Sequence, residues 1–237
     1  MASDNRKKGQ KNKSDLTPQQ WLLLVGIASA IGLMMGAAMV AISIMSVSRL
    51  QEAQSINMKD PEGIERRTKG KADAPIVITE WYDYQCPACA RYALTREPEF
   101  ERRFVDTGMV KIIYKNLPFL GQESIWAAEA AECAADQGRY WDYRNLLFRR
   151  QQGENKGGFS KERLKSFAAE LGLDQAKFNE SLDNDVHLAT IKAEIDEADK
   201  LGVEATPTFF VNGRMIDGIP TNDEFQKIIE EELAKKR

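Results

Sequence analysis

Apolar and polar positions divide the chain into three stretches. Residues 1–20 are polar, with no apolar period, and read as a disordered tail. Residues 21–47 carry no charge at all. At about 1.5 Å per helical residue, such a run spans a ~30 Å hydrocarbon core with length to spare. Residues 48–72 are polar again, with Pro61, Gly63 and Gly70, and read as a tether with a short strand around 64–68. Beyond 73 the pattern is that of a folded domain.

In that domain the β-branched run Ile76–Tyr82 predicts a buried strand. Residues 90–104 are rich in helix formers, and Pro98 is expected to kink or break that helix. Thr107-Gly108 marks a turn before a second strand at 110–114. Strand, helix, strand is a βαβ unit with parallel strands. Residues 121–203 show helical signals only, and read as a helical insertion. Ser124 to Asp136 is Ala-rich, Gly138 interrupts, and Tyr140–Arg149 continues. Ser160 is an N-cap for a helix closed by Gly172, Asp174 caps a shorter one, and 186–201 is a longer helix stopped by Gly202. Sheet signals return in Thr206-Pro207-Thr208-Phe209-Phe210-Val211. Asn212-Gly213 is a two-residue hairpin signal, and Thr221 with Glu224 forms a capping box for the last helix.

Charge changes the picture at one point. The net charge of −3 hides an asymmetry. Arg6, Lys7, Lys8, Lys11 and Lys13 against Asp4 and Asp15 make the first 20 residues +3, leaving −6 for the rest. With Trp21 at the edge of the apolar run and only Arg49 close after it, the positive-inside rule puts the N-terminus in the cytoplasm and the domain outside. The expected location is the cell membrane, by a single pass. An uncleaved anchor and a cleaved leader both export the same domain; the length of the run favours the anchor. No basic stripe with interleaved aromatics occurs in the folded part, so nucleic acid is not an expected partner. Outside the cytoplasm disulfides persist, which bears directly on the cysteines.

Cys86-Pro87-Ala88-Cys89 stands where the first strand ends and the first helix begins. Pro87 fits the first helical turn, where its missing N–H costs nothing. Free N–H groups and the helix dipole stabilise a thiolate there, so Cys86 is the expected exposed nucleophile of lowered pKa and Cys89 the buried resolving thiol. Such a pair supports thiol–disulfide exchange through a mixed disulfide. A structural zinc site or plain disulfide is the bland alternative. Zinc needs about four ligands, and the chain adds only Cys133 and His187. Cys133, among alanines, reads as a small buried hydrophobe. His187 reads as a surface residue on a charged helix, and Glu129, Glu132 and Asp136 as a solvated helix face. Trp126 and Trp141 read as core.

Five segments together carry a family resemblance. They are 74–80, Asp83 through Cys89, Lys115-Asn116-Leu117-Pro118, Glu132 through Gly138, and Ala205 through Gly213. Over roughly 70–235 the chain resembles the DsbA-like thiol–disulfide oxidoreductases, and particularly their membrane-anchored bacterial branch. The resemblance implies an α/β thioredoxin-like fold with an inserted all-helical domain. The expected divisions are a tail at 1–20, an anchor at 21–47, a tether at 48–72 and the domain at 73–237. It implies that Cys86 attacks and Cys89 resolves, that Pro207 is a cis-proline beside the pair, and that Thr206 offers backbone groups to a substrate. It implies that Glu80 is a buried acid exchanging a proton with Cys89; strand alternation alone leaves Glu80 free to be an exposed carboxylate.

The chain departs from the family at Ala88, where DsbA-like oxidases often carry a histidine that helps stabilise the thiolate. By the resemblance, the expected activity is disulfide donation to exported polypeptides. Reduction or isomerisation is the nearest alternative, and a tethered chaperone or metal-delivery module is an alternative of another class. No metal or organic cofactor is implied. The resemblance implies reoxidation by a DsbB-like or vitamin-K-epoxide-reductase-like membrane protein.

Overall fold

The computed structural model describes residues 64–216 and 218–235. The tail, the apolar run 21–47 and most of the tether lie outside the described residues. Among the described residues, no helix is long and apolar enough to cross a membrane.

Five strands form one sheet in the order β1-β3-β2-β4-β5. They are β1 (Thr68–Lys69), β2 (Ile76–Tyr82), β3 (Val110–Asn116), β4 (Thr208–Val211) and β5 (Arg214–Ile216). β2 and β3 run parallel in register from Ile76↔Val110 to Tyr82↔Asn116, as the βαβ reading requires; the other pairings are antiparallel. The stretch expected as tether with a short strand is instead a 3-10 turn, Ile64–Arg67, followed by β1. Ile64 and Arg67 are buried, which ties this stretch onto the domain.

α1 (Pro87–Thr95) follows β2. Pro98 does break the helical run: α1 stops at Arg96, α2 (Glu97–Phe100) is one turn with proline inside it, and a π turn, Glu101–Val105, completes the crossover. Between β3 and β4 come α3 (Gln122–Ala135), α4 (Tyr140–Arg149), α5 (Lys161–Glu170), α6 (Gln175–Asp183) and α7 (Leu188–Leu201). Ser160 accepts from the Arg163 N–H and Asp174 from the Lys177 N–H, as caps should. Gly202 ends α7 at φ +72°, the left-handed conformation glycine adopts without penalty. Asn212 and Gly213 both have positive φ, as a type I′ hairpin between β4 and β5 demands. α8 (Asn222–Ala234) starts in the full Thr221–Glu224 capping box.

α3 is the centre of the insertion, packed by α4, α5, α6 and α7. Its alanines 127, 128, 130, 131, 134 and 135 are buried and let its neighbours approach closely. This overturns the solvated-face reading of Glu129 and Glu132, which are each 1% exposed. A helix surrounded by helices has little outer face, so its charges must be met inside. Arg67 Nε lies 2.9 Å from Glu132 Oε1, and Arg67 Nη1 lies 2.8 Å from Glu194 Oε1 on α7. Glu129 is pushed up to about 7 by burial and then by the charge of Asp185. Only Asp136 reaches solvent, paired with Arg66. His187 is not on the surface of a helix either. It occupies the N-cap position of α7, largely covered, with Nε2 2.7 Å from Asp136 Oδ2. Trp126 and Trp141 pack against the core from its edge, both only partly buried.

The sheet separates two cores. Ile76, Ile78, Tyr82 and Tyr114 belong to the larger one, whereas Trp81 joins Leu117, Ala198, Val203 and Phe210 in the smaller. Side chains alternate across a strand. Glu80 therefore falls on the same face as Ile78 and Tyr82, under the larger core, and is fully buried.

Candidate active site

Strand β2 ends at Tyr82, and Asp83 organises the loop that leads into α1. Its carboxylate accepts from the Gln85 N–H (2.7 Å), the Leu120 N–H (3.0 Å) and the Ser124 hydroxyl (2.6 Å). Gln85 in turn reaches Ser124 Oγ and the Asn155 N–H. Gln151 Nε2 donates to the carbonyls of Tyr84 (2.6 Å) and Cys86 (3.0 Å). The loop before the helix is thus held from three directions. Sequence patterns assigned none of these side chains a role. Asp83 two residues ahead of Gln85 is the signature of an Asx turn, which was the available signal; Gln151 and Asn155 lie some seventy positions away and had none.

Cys86 is the N-cap of α1 (φ −72°, ψ 118°), its Sγ accepting from the Cys89 N–H at 3.4 Å, with Pro87 in the first turn. It is not the exposed thiol expected: it is 7% accessible, because the segment ahead of β4 covers it. As a thiol, its Sγ donates to the Thr206 carbonyl at 3.2 Å. The Thr206–Pro207 bond is cis. Thr206 and Pro207 are thus brought to Cys86 across the whole insertion, and Pro87 and Ala88 form the rim, Pro87 exposed and Ala88 half-buried. Cys86 and Cys89 are free thiols.

The two sulfurs are driven apart electrostatically. A hydrogen bond from Cys89 is the main cause that lowers the Cys86 pKa to about 6; burial opposes it, and Thr206 and the amides of Cys89 and Ala88 assist. Burial, then the hydrogen bond to Cys86, push the Cys89 thiol well above its ordinary value. One sulfur is a thiolate at neutral pH and its neighbour a protonated thiol. Cys133 lies apart on α3, donating to Ser181 Oγ at 3.1 Å, with burial pushing it up to about 12. Glu80 is fully buried, and both its carboxylate oxygens lack a hydrogen-bond partner among the described residues. Burial, and after it the charge of Glu97, raise its pKa well above the carboxylate range, while Arg144 acts against them. Among the described residues no three His, Cys, Asp or Glu side chains are grouped to hold a metal ion.

A thioredoxin-like sheet, a CxxC at the start of the crossover helix and a cis-proline against it define a thiol–disulfide exchange protein of DsbA-like build. Known proteins of similar sequence and structure agree. Residues 63–231 match the thioredoxin family. The chain is 31% identical over 170 residues to disulfide bond formation protein D of Bacillus subtilis, covering 70% of this chain and 77% of that protein. It is 29% identical over 190 residues to a probable disulfide bond formation protein D of Bacillus anthracis, covering 76% and 87%. The crystal structure of oxidised BdbD from Bacillus subtilis superimposes with a TM-score of 0.66 at 29% identity, covering 72% of this chain and 95% of that one. The chain belongs to the thioredoxin family and is a DsbA-like protein disulfide oxidoreductase.

Proposed function

We propose that the chain is a membrane-anchored disulfide donor for exported polypeptides, working through Cys86 and Cys89 with Thr206, Pro207 and Glu80 in support. The observation that carries the reading is Cys86 as N-cap, with a pKa of about 6 beside a protonated Cys89. A stabilised thiolate favours the reduced pair, which makes the oxidised pair a strong oxidant. A substrate thiolate attacks Cys86 Sγ, the Cys86–Cys89 bond breaks, and Cys89 leaves with the electron pair and takes up a proton. A second substrate thiolate then attacks the substrate sulfur of the mixed disulfide, and Cys86 leaves as a thiolate. The substrate has lost two electrons and gained a disulfide; the pair is reduced. The Thr206 carbonyl beside Cys86 suits the pairing of an extended substrate at this point.

The apolar run 21–47, with cations before it, supports anchoring with the domain outside the cytoplasm. Reoxidation then falls to a membrane partner of DsbB-like or vitamin-K-epoxide-reductase-like type. Ala88, which supplies no imidazole to the thiolate, is the feature favouring the alternative of a reductase or isomerase.

Equilibrating the pair with glutathione buffers tests the direction. A potential well above the glutathione poise of about −220 to −260 mV is expected; one near thioredoxin's, about −270 mV, would favour a reductase instead. Cys86→Ser should abolish exchange, and any retained chaperone or metal-delivery activity would point to a binding module.

A further inference from the structure

The helical insertion reaches back to the reactive pair through the side chain of Gln151. Its Nε2 lies 2.6 Å from the Tyr84 carbonyl oxygen and 3.0 Å from the Cys86 carbonyl oxygen. Both neighbours are acceptors, so the amide nitrogen faces them, with one hydrogen for each. These carbonyls belong to the turn that leads into α1, which the Cys86 N–H closes onto the Asp83 carbonyl at 3.1 Å. Two carbonyl oxygens converging on one point repel each other, and the donor between them offsets that repulsion.

Gln151 is half-buried and fixed from both sides. It follows α4, whose Phe148 ring packs against Tyr84 with centroids 5.1 Å apart. Its neighbour Arg150 is bonded to Glu170 of α5 at 2.8 Å. The Cys86 carbonyl that it meets is the joint between turn and helix. That oxygen also accepts from the Ala90 N–H at 3.1 Å, the first backbone bond of α1, so both its lone pairs are in use. A rotation about Cys86 would break the Ala90 bond and carry Sγ away from the Cys89 N–H, from which it accepts at 3.4 Å. The oxygen also carries partial negative charge on the same residue as the thiolate. Each donor bound to it lessens its repulsion of that charge.

We propose that Gln151 is a positioning residue for thiol–disulfide exchange: its amide hydrogens hold the Tyr84 and Cys86 carbonyls so that Cys86 keeps its place as helix cap and its sulfur is stabilised as a leaving thiolate. The proposal rests on the reading of Cys86 as the reactive thiol of the pair. When the mixed disulfide is resolved, the bond between Cys86 and the substrate sulfur breaks, the substrate's own disulfide forms, and Cys86 Sγ departs with the electron pair. Gln151 touches no reacting sulfur and neither gives nor takes a proton; it acts through the carbonyls. The insertion thereby helps to set the redox equilibrium of a pair that belongs to the thioredoxin part of the fold.

A series of variants at this position in the full chain separates a donor from a filler. Gln151→Met keeps the length of the side chain and removes both N–H groups. Gln151→Glu puts an anionic acceptor against two carbonyls, and Gln151→Lys restores donors on a cation. The pH profile of iodoacetamide alkylation reads the Cys86 thiolate of the reduced protein, and glutathione buffers read the redox equilibrium. Gln151→Met is expected to raise the alkylation midpoint by about half to one pH unit. Above that midpoint it should move the equilibrium about three- to tenfold toward the Cys86–Cys89 disulfide. Gln151→Glu should move both further, and Gln151→Lys should leave both at the wild-type values or shift them the opposite way. An unchanged midpoint in a folded Gln151→Met overturns the proposal. If urea unfolding shows that this variant folds poorly, the charged variants decide: midpoints that rise alike in Gln151→Glu and Gln151→Lys mark a structural role and overturn the proposal too. A wild-type midpoint at the ordinary thiol value sinks the Cys86 reading and the proposal with it, whereas a low wild-type midpoint that Gln151→Met leaves in place sinks the proposal alone.

Discussion

At the scale of single residues the chemistry rests on a difference between two sulfurs three positions apart. Cys86 ends a strand and caps a helix, so the Cys89 thiol and then free amides meet its charge; Cys89, one turn on, is pushed the other way by burial and by its hydrogen bond to Cys86. With a pKa of about 6, Cys86 is mostly thiolate at neutral pH. Alkylation of the reduced protein by iodoacetamide should therefore rise through a midpoint near pH 6 and level off above it, at Cys86 alone. Cys89 and Cys133, both shifted upward, should stay unmodified across that range. A midpoint near ~8.5, the ordinary thiol value, would remove the basis for a stabilised thiolate. Stability takes its sign from the same shift. A depressed pKa stabilises the folded reduced form above the unfolded thiol's pKa. That contribution shrinks as pH falls and is gone once pH has passed below about 6.

At the scale of elements, local caps decide where helices start, and each can be removed without touching the site. α8 begins in a capping box in which Thr221 Oγ1 accepts from the Glu224 N–H and Glu224 accepts from the Thr221 N–H. Thr221→Ala should cost about 1 kcal/mol in urea unfolding, and the redox equilibrium should not move. A shifted potential would mean that α8 is coupled to the thiols through β2, against which it packs. The crossover shows a local signal that acts beyond a cap: Pro98 ends α1 early and is followed by a π turn that completes the connection to β3.

At the scale of the whole molecule, buried ions join segments far apart in sequence. Arg67, ahead of β1, meets Glu132 on α3 and Glu194 on α7, and Glu194 also accepts from the Asn116 backbone and side chain on β3. Burial by itself disfavours the Arg67 charge, and the two carboxylates outweigh it, holding its pKa above the ordinary value. Arg67→Ala leaves two uncompensated carboxylates inside the protein and should cost about 3–5 kcal/mol in urea unfolding. Replacing all three charges at once, as Arg67→Met with Glu132→Gln and Glu194→Gln, should recover most of that loss. If Arg67→Ala alone is nearly neutral, the cluster is wetter than its burial implies.

Much was legible without coordinates, for a physical reason common to all of it. Strand, turn and cap signals act between residues a few positions apart. The parallel βαβ unit, the helix caps at Ser160, Asp174 and Thr221, the Asn212-Gly213 turn and the placement of Cys86-Pro87-Ala88-Cys89 at a helix start all came from local chemistry. Tertiary structure decided whatever depends on which faces meet. Alternation could not say which side of β2 would be covered, so the burial of Glu80 had to be seen. A helix whose acidic residues look solvated turned out to be enclosed, because α5, α6 and α7 close over α3. The contact of Cys86 with Thr206 spans 120 positions, and no local preference reaches that far. Short-range chemistry in the chain was enough to set the reactive pair and its place at the start of a helix. How that pair is covered and charged came from the packing of the insertion and the return of the chain to the sheet, because those contacts join residues that no local signal connects.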